Sequence, residues 1–479
     1  MTVMNHTPSF SLISTFELLA GLLFVLPAFS AVPVPPTREE VITDMRKAAT
    51  FFHAKASTHG GYVYYLSPDL TTRRLGEGKA TKDQVWVQPP GTPAVGLAYL
   101  KAFEATGDTF YLDAAREAGE ALVYGQLASG GWMNAIDFDP KNAKGKYRNG
   151  KGSDWDFSSL DDGITQTALR FLMQVDRALK FKHPSIHETA ESGRTALLAA
   201  QFNHGAFPQG WSGPVATAKP VKAQYPDYDW HTENRIKEYW NMPTLNDDLC
   251  GYVSRTLLDG WEIYQDERCR AALIKLGDFL ILAQMPEPQP GWAQQYDLEM
   301  RPVWARKFEP PALAGRESQD AMEVLLRVHR LTSDAKYLEP IPRALTYLKR
   351  SLLSDGHLSR YYELQSNKPL YMTDDYKITY DDSNLPQHYG WKTDSRLAAI
   401  EKSFMAAKAG TAIAPEVIDL VQVLKIMNEL DTEGRWISTF ADQRLVGNPK
   451  FKSGESYIAS EIFIQNLETL SAYLLQAPR

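Results

Sequence analysis

The chain has 479 residues, which is enough to bury one large hydrophobic core or two moderate ones. Its formal net charge of −7 argues against nucleic acid as a partner, because binding to phosphates requires a basic surface. The average surface would also repel an acidic ligand, so binding one would require local cations or a metal.

The N-terminus is typical of a secretory signal peptide. Residues Phe16 to Phe29 are almost wholly apolar, and Ala28 and Ser30 are the small residues that a signal peptidase favours. At about 14 residues this run is short for a helix that spans a bilayer. We therefore predict a signal peptide over 1–30, a linker over 31–37, and a secreted or periplasmic protein with no membrane contact after cleavage.

From residue 38 onward the chain repeats one unit, in which two helices are followed by a glycine and an aromatic or apolar residue. A single helix is predicted over 38–55. Predicted helix pairs follow at 95–100 with 110–127, 164–179 with 184–202, 248–264 with 269–285, 317–331 with 335–353, and 395–409 with 415–430. The closing residues Tyr62, Trp132, Phe207, Trp292, Leu358 and Trp436 lie about 75 residues apart.

Helical hairpins that cannot bury their apolar faces alone must stack on one another. The glycine-aromatic closures and the long loops favour a closed ring over an open solenoid, so we predict an all-α fold, an α/α toroid, over 38–479 as a single domain.

The only two cysteines, Cys250 and Cys269, fall in the third helix pair. At 1.5 Å per residue they are roughly 20 Å apart along a helical hairpin, which is too far for a disulfide. We predict two free, buried thiols.

The segment 301–311 combines three cations, one tryptophan and three prolines. Prolines cannot lie inside a helix, so the segment is a rigid connection of the kind that often carries binding groups. Arg301 and Arg306 could bind carboxylates, and Trp304, like Trp292 before it, could stack on a sugar. The alternative is a structural loop with Trp304 in the core and solvated arginines.

Paired carboxylates stand where two of the predicted inner helices begin. They are Asp161 with Asp162, and Asp247 with Asp248. Capping of the helix explains one acid at each position but not a second one, because adjacent like charges repel. Doubled acids at two helix entrances are also typical of an oxygen cage for a hard cation such as Ca²⁺.

Taken together, these motifs resemble the family 10 polysaccharide lyases, the pectate lyases built on an α/α toroid. The resemblance lies in 291–297, 301–311, Gly315-Arg316-Glu317-Ser318, 360–364, 367–369 and the two acid pairs. It covers about 130–391, and a C-terminal helical extension, 394–479, lies beyond it. This extension could complete the ring or alter the substrate cleft.

The resemblance implies cleavage of polygalacturonate by Ca²⁺-assisted β-elimination, with an arginine as base and 4,5-unsaturated oligogalacturonides as products. Arg306 is then the base and Asp161 a Ca²⁺ ligand, with Asp162, Asp247 and Asp248 as further candidates for the metal. Arg301, Trp304, Arg360, Lys368 and Trp292 are the candidates for substrate binding. The expected partner is an acidic polysaccharide bound by a monomer. Lys368 departs from the family, which has arginine there and so binds a carboxylate through two hydrogen bonds.

Three other functions remain open on the sequence. A glycoside hydrolase could use Asp161 and Asp247 as its two acids, and a lyase could act on another uronate polymer. A non-catalytic carbohydrate-binding toroid would use its tryptophans only. An epimerase-type isomerase is disfavoured because the ten histidines form no cluster.

Overall fold

The computed structural model describes residues 34–76, 78–232, 235–414, 416–447 and 449–476. The predicted signal peptide, 1–30, lies outside these residues. None of the described helices is long and apolar enough to cross a membrane. Residues Pro36–Arg479 form one compact unit.

Twelve α-helices occur in the described residues. They are α1 Arg38–Phe51, α2 Thr92–Thr106, α3 Thr109–Gly125, α4 Ile164–Ala178, α5 Pro184–Ala199, α6 Leu249–Tyr264, α7 Glu267–Ala283, α8 Gly315–Thr332, α9 Ile341–Arg350, α10 Leu397–Ala409, α11 Leu420–Asn428 and α12 Ser460–Gln476.

The even-numbered helices form the inner wall of a ring. Helix α12 packs on α2, α2 on α4, α4 on α6, α6 on α8 and α8 on α10. The odd-numbered helices lie outside, each packed on at least one inner helix. Because α12 also packs on α1, the C-terminal extension closes the ring onto the start of the domain. The predicted α/α toroid is confirmed.

Short strands occupy the loops between helices. They are β1 Tyr65–Leu66, β2 Arg73–Leu75, β3 Gly78–Lys79, β4 Gln84–Trp86, β5 Ala135–Asp137, β6 Ser158–Ser159, β7 Gly210–Trp211, β8 Leu313–Ala314, β9 Leu358–Ser359, β10 Tyr361–Tyr362, β11 Pro369–Met372, β12 Ile378–Thr379, β13 Lys392–Thr393, β14 Ile437–Thr439 and β15 Ser456–Ala459. The largest sheet has the order β14-β15-β1-β2-β3, and a second has the order β12-β11-β10-β8. The antiparallel pair of β1 with β15 joins the two ends of the domain, with Tyr65 opposite Ala459.

The glycine-aromatic closures are core contacts that recur around the ring. The indole N–H of Trp132 donates to the carbonyl of Leu122 at 2.9 Å, and that of Trp292 donates to Leu280 at 2.8 Å. Trp436 repeats the contact with Ile426 at 2.9 Å. Each indole thus ties the end of a unit to its own outer helix, and the buried N–H finds the partner that it requires.

Two predicted helices are shorter in the structure. The predicted helix 335–353 is a 3₁₀ turn, Ala335–Tyr337, followed by α9, Ile341–Arg350. Pro340 and Pro342 explain the break, since proline is tolerated only in the first turn of a helix. The helix predicted to begin at residue 415 begins at Leu420. Both cysteines are free and buried, as predicted.

Gly96 allows the inner helices α2 and α4 to approach closely. A Cβ on Gly96 would fall well inside van der Waals contact of the ring of Phe171, which is fully buried. We expect Gly96→Ala to lower the free energy of unfolding by about 1–3 kcal/mol through overpacking. Gly119→Ala in α3 is the matched control, because its Cβ would meet the flexible tip of Ile186 at 3.2 Å and would lie at an ordinary contact distance, 3.5 Å, from Val175 Cγ1. Urea denaturation of both variants tests this, and equal stabilities would contradict it.

Candidate active site

The two pairs of acids lie in matching turns at the entrances of α4 and α6. Asp161–Gly163 and Asn246–Asp248 are 3₁₀ turns that contact each other, and their middle residues have positive φ, 46° at Asp162 and 53° at Asp247. Aspartate tolerates this left-handed backbone better than most residues do. In neither turn does an aspartate side chain cap its helix. The capping explanation of these acids therefore does not apply.

Three of the four acids meet at one point. Asp161, Asp162 and Asp247 each offer a carboxylate oxygen, and these oxygens lie within 4.8 Å of one another. Gln209 Nε2 donates to Asp161 Oδ1 at 2.7 Å, and Gln88 Nε2 donates to Asp162 Oδ2 at 2.9 Å. Asp248, the fourth candidate, is outside this group, because its Oδ2 accepts from Arg255 Nη2 at 2.6 Å.

The charges around this group are unevenly compensated. Burial raises the pKa of Asp161, and burial together with the nearby Asp247 and Asp161 raises that of Asp162 to about 7. Burial also raises the pKa of Asp247, but Arg360, Arg316 and Arg306 lower it by more, so the net shift is downward. Three clustered carboxylates, two of them difficult to ionise without a counter-charge, fit the donor set of a hard divalent cation such as Ca²⁺.

Asp247 is also the centre of an arginine cluster. Its Oδ1 accepts from Arg316 Nη1 at 3.0 Å and from Arg360 Nη2 at 3.1 Å, and its Oδ2 from Arg306 Nη2 at 3.5 Å. Arg360 is also paired with the buried Glu317 at 2.9 Å. The arginine cluster and the group of carboxylates therefore share one residue.

Arg306 is held in a tight turn by Glu309. The Arg306 backbone N–H donates to Glu309 Oε2 at 3.0 Å, and Arg306 Nη2 is paired with Glu309 Oε1 at 2.8 Å. The buried Nε of Arg306 has no hydrogen-bond partner among the described residues. Burial lowers the pKa of Arg306, but the carboxylates of Glu309 and Asp161 raise it by more, so it lies well above the ordinary value. Neutralising these carboxylates would remove that upward shift.

Two adjoining cavities, of about 940 and 500 Å³, open over this site. Both are lined by Asp162, Arg306, Arg316, His388 and Arg444, and Arg360 lines the smaller one. Two residues of the cavity walls were not predicted from the sequence. They are Arg316, although it lies in the motif 315–318, and Trp155, which is 61% exposed and lines the larger cavity. An isolated tryptophan among polar residues was the available signal for Trp155. Arg444 had no sequence signal.

The prediction that Trp292 and Trp304 stack on a sugar is corrected by the structure. Trp292 is fully buried and Trp304 is 3% exposed, and neither lines either cavity. Their rings complete the core, so the structure does not support a role for them in substrate binding.

Arg301 and Lys368, two further candidates for substrate binding, also lie away from both cavities. Arg301 Nε donates to Asp297 Oδ2 at 2.9 Å, while Asp297 Oδ1 accepts from the backbone N–H of Arg301. Arg435 and Asp431 repeat this arrangement in another unit, so the Arg301 contact is that of a turn. Lys368 Nζ lies 5.2 Å from the centre of the Tyr380 ring.

The family model described as pectic acid lyase matches residues 126–357. The chain is therefore a polysaccharide lyase, the class that the site and the motifs predicted. The match covers just under half of the chain, and it confirms the resemblance to the pectate lyases that the sequence motifs indicated.

A search of curated proteins gives no match. Among solved structures, a family 10 polysaccharide lyase variant from Cellvibrio cellulosa in complex with trigalacturonic acid has 19% identity and a TM-score of 0.46, covering 65% of this chain and 98% of that chain. An α-mannanase from Bacteroides thetaiotaomicron has 11% identity and a TM-score of 0.44, covering 91% and 96%. A cellobiose 2-epimerase from Spirochaeta thermophila has 15% identity and a TM-score of 0.47, covering 92% and 100%. At these scores the matches are a distant likeness of fold only.

Proposed function

We propose that the protein is a secreted pectate lyase, which cleaves polygalacturonate by Ca²⁺-assisted β-elimination with Arg306 as the base. The observation that carries this proposal is that Arg306 lines both cavities together with the group of carboxylates, two of which line each cavity. Arg306 Nη2 is 3.5 Å from Asp247 Oδ2, and Asp247 belongs to that group. One uronate unit can therefore reach both the base and the cation site.

The reaction explains why cations surround the cavity. The C5 hydrogen of a uronate is acidified by the neighbouring carboxylate, and its removal places a second negative charge on that group. Arg306 takes the C5 proton, the C5–H electrons form a C4–C5 double bond, and the C4 oxygen departs with its bonding pair. Arg316 and Arg360 present fixed guanidinium groups where the charge develops, and such preorganised electrostatics is often the largest catalytic contribution.

Asp161, Asp162 and Asp247 would hold the Ca²⁺ ion. When bound, Ca²⁺ supplies Lewis-acid stabilisation of the uronate carboxylate. The same positive charge would offset Asp161, one of the carboxylates that raise the pKa of Arg306. Calcium and the arginine base are thereby linked, because the neutral guanidine is a very minor species unless its surroundings are made less negative.

The remaining parts of the proposal concern the whole chain. We assign 1–30 to a signal peptide, 31–37 to a linker and 38–479 to a single catalytic domain. The mature protein would be a monomer located outside the cell or in the periplasm. Its partner would be polygalacturonate or a related acidic polysaccharide.

A glycoside hydrolase is the alternative that the site itself can address. That reaction requires one carboxylic acid to donate a proton. Asp247 is held by three arginines that lower its pKa, which does not suit this role, but burial raises the pKa of Asp161, which does suit it. The feature that favours elimination is instead the arginine cluster around Asp247, which the hydrolysis of a neutral sugar would not require.

Purified protein incubated with polygalacturonate and Ca²⁺ in alkaline buffer tests the proposal directly. We expect ultraviolet absorbance to grow with time, because elimination creates a conjugated double bond and hydrolysis does not. EDTA should abolish the signal, and added Ca²⁺ should restore it. New reducing ends without absorbance would indicate a hydrolase, and sugar binding without either product would indicate a non-catalytic toroid.

A further inference from the structure

A loop from the C-terminal extension reaches the active-site cavities. Residues 441–447, which we call the strap, belong to the connection between β14 and β15 and lie outside the family match at 126–357. Arg444, Leu445, Val446 and Gly447 of the strap line the larger cavity. The cleft is therefore partly built by a segment that the family motifs do not include.

The strap is anchored on the N-terminal part of the domain. The hydroxyl of Tyr65 donates to the carbonyl of Val446 at 2.9 Å. Gly447 has a φ of 72°, and a Cβ there would lie 2.6 Å from the carbonyl oxygen of Gly76. This close backbone approach requires glycine and fixes one end of the strap.

Arg444 extends from the strap toward the opposite side of the cleft. A Cβ on Gly390 would lie only 2.9 Å from Arg444 Nη1, so the guanidinium rests against the backbone there. Arg444 lines both cavities, whereas Leu445, Val446 and Gly447 line only the larger one. It therefore lies where the two cavities meet.

Among the arginine and lysine side chains of the cavity walls, Arg444 alone has no carboxylate partner in the described residues. Arg306, Arg316 and Arg360 pair with Asp247, and Lys392 pairs with Asp355 at 3.0 Å and Asp382 at 2.9 Å. Within the described part of the chain, Arg444 makes neither an ion pair nor a hydrogen bond. An exposed arginine that is placed at a cleft and not neutralised by the protein is suited to an anionic ligand.

We propose that Arg444 binds the carboxylate of a uronate unit next to the one that reacts at Arg306. The inference rests on the proposed function, because a polyuronate carries one carboxylate on every sugar. Arg444 would then be a substrate-binding residue outside the reacting centre. It would lengthen the binding site, so that this chain holds a polymer better than a short fragment.

Steady-state kinetics of Arg444→Ala on polygalacturonate tests the proposal. We expect KM to rise about tenfold and kcat to stay within about twofold, since one partly exposed, charge-assisted contact is lost. The increase in KM should be smaller for the shortest substrate that is still cleaved. The KM of Arg444→Lys should lie between those of the wild type and Arg444→Ala, because an ammonium keeps the charge but not the two hydrogen bonds of a guanidinium. Arg116→Ala, on the outer helix α3, is the control for the loss of a surface arginine.

A binding measurement separates this inference from the proposed function. Calorimetric titration of polygalacturonate into Arg306→Ala, with and without Arg444→Ala, needs no turnover, and we expect weaker binding in the double variant. If the wild-type protein forms no ultraviolet-absorbing product, the proposed function fails, while the titration still reports on Arg444. Equal KM and equal affinity with and without Arg444, or a fall in kcat at unchanged KM, would overturn the inference.

Discussion

Replacing Arg306 by alanine is expected to reduce kcat on polygalacturonate by about 1000-fold or more at saturating Ca²⁺. A positioned base typically contributes 100- to 10,000-fold, and Arg306 is the base that we assign. The rate of increase in ultraviolet absorbance measures the loss. Arg116→Ala removes an arginine that pairs with Glu120 on the surface of α3, and it should retain full activity. Activity within about tenfold of the wild type in Arg306→Ala would exclude this residue as the base.

The pH dependence of the same reaction distinguishes a base from a structural arginine. Guanidinium groups have pKa values above about 12, so the neutral form of Arg306 is scarce and the rate should increase toward alkaline pH. In Arg306→Lys the base would be an amine with an ordinary pKa near 10.4. We expect residual activity with a profile displaced to lower pH. A wild-type optimum in mildly acid solution would contradict the arginine base.

Asp162→Asn is expected to weaken Ca²⁺ binding by about tenfold or more. The substitution preserves the shape of the side chain but removes one of three clustered charges, and the affinity of such sites depends on the number of charged ligands. Calorimetric titration with Ca²⁺ measures the affinity, and excess Ca²⁺ should restore much of the lost activity. In EDTA the variant should melt at a higher temperature than the wild type, because repulsion among the three clustered carboxylates is relieved.

Asp248→Asn is the matched comparison for that experiment. It removes the same charge from the neighbouring turn, but the Asp248 carboxylate is paired with Arg255 at 2.6 Å and lies outside the group of three. We expect an affinity for Ca²⁺ within about twofold of the wild type. Equal losses in the two variants would show that general charge, and not the group of three, controls calcium binding.

The C-terminal extension performs two tasks that the family match does not cover. Helix α12 completes the inner wall of the ring by packing on α2 and α1. The strap, 441–447, then brings Arg444 to the cavities. Closing the ring thus also places a cation beside the active site.

Predictions from the sequence succeeded where they depended on periodicity. The apolar spacing located the helix pairs, and the glycine-aromatic closures at Trp132, Trp292 and Trp436 proved to be one repeated core contact. Predictions from the sequence were weaker for individual side chains. Trp292 was proposed for substrate binding because aromatic rings suit both sugars and cores, and only burial separates these two roles.

The amino-acid sequence by itself determined the toroid, the resemblance to the pectate lyases and the two acid pairs, because these depend on local spacing and on residues close together in the chain. The tertiary structure decided which acids and arginines act together. Asp247 gathers Arg306, Arg316 and Arg360 from three separate segments, while Asp248 beside it turns to Arg255. Arg444 reaches the same cleft only because β15 pairs with β1 when the ring closes. Contacts of this kind join residues that are far apart in the chain, and no spacing along the chain encodes them.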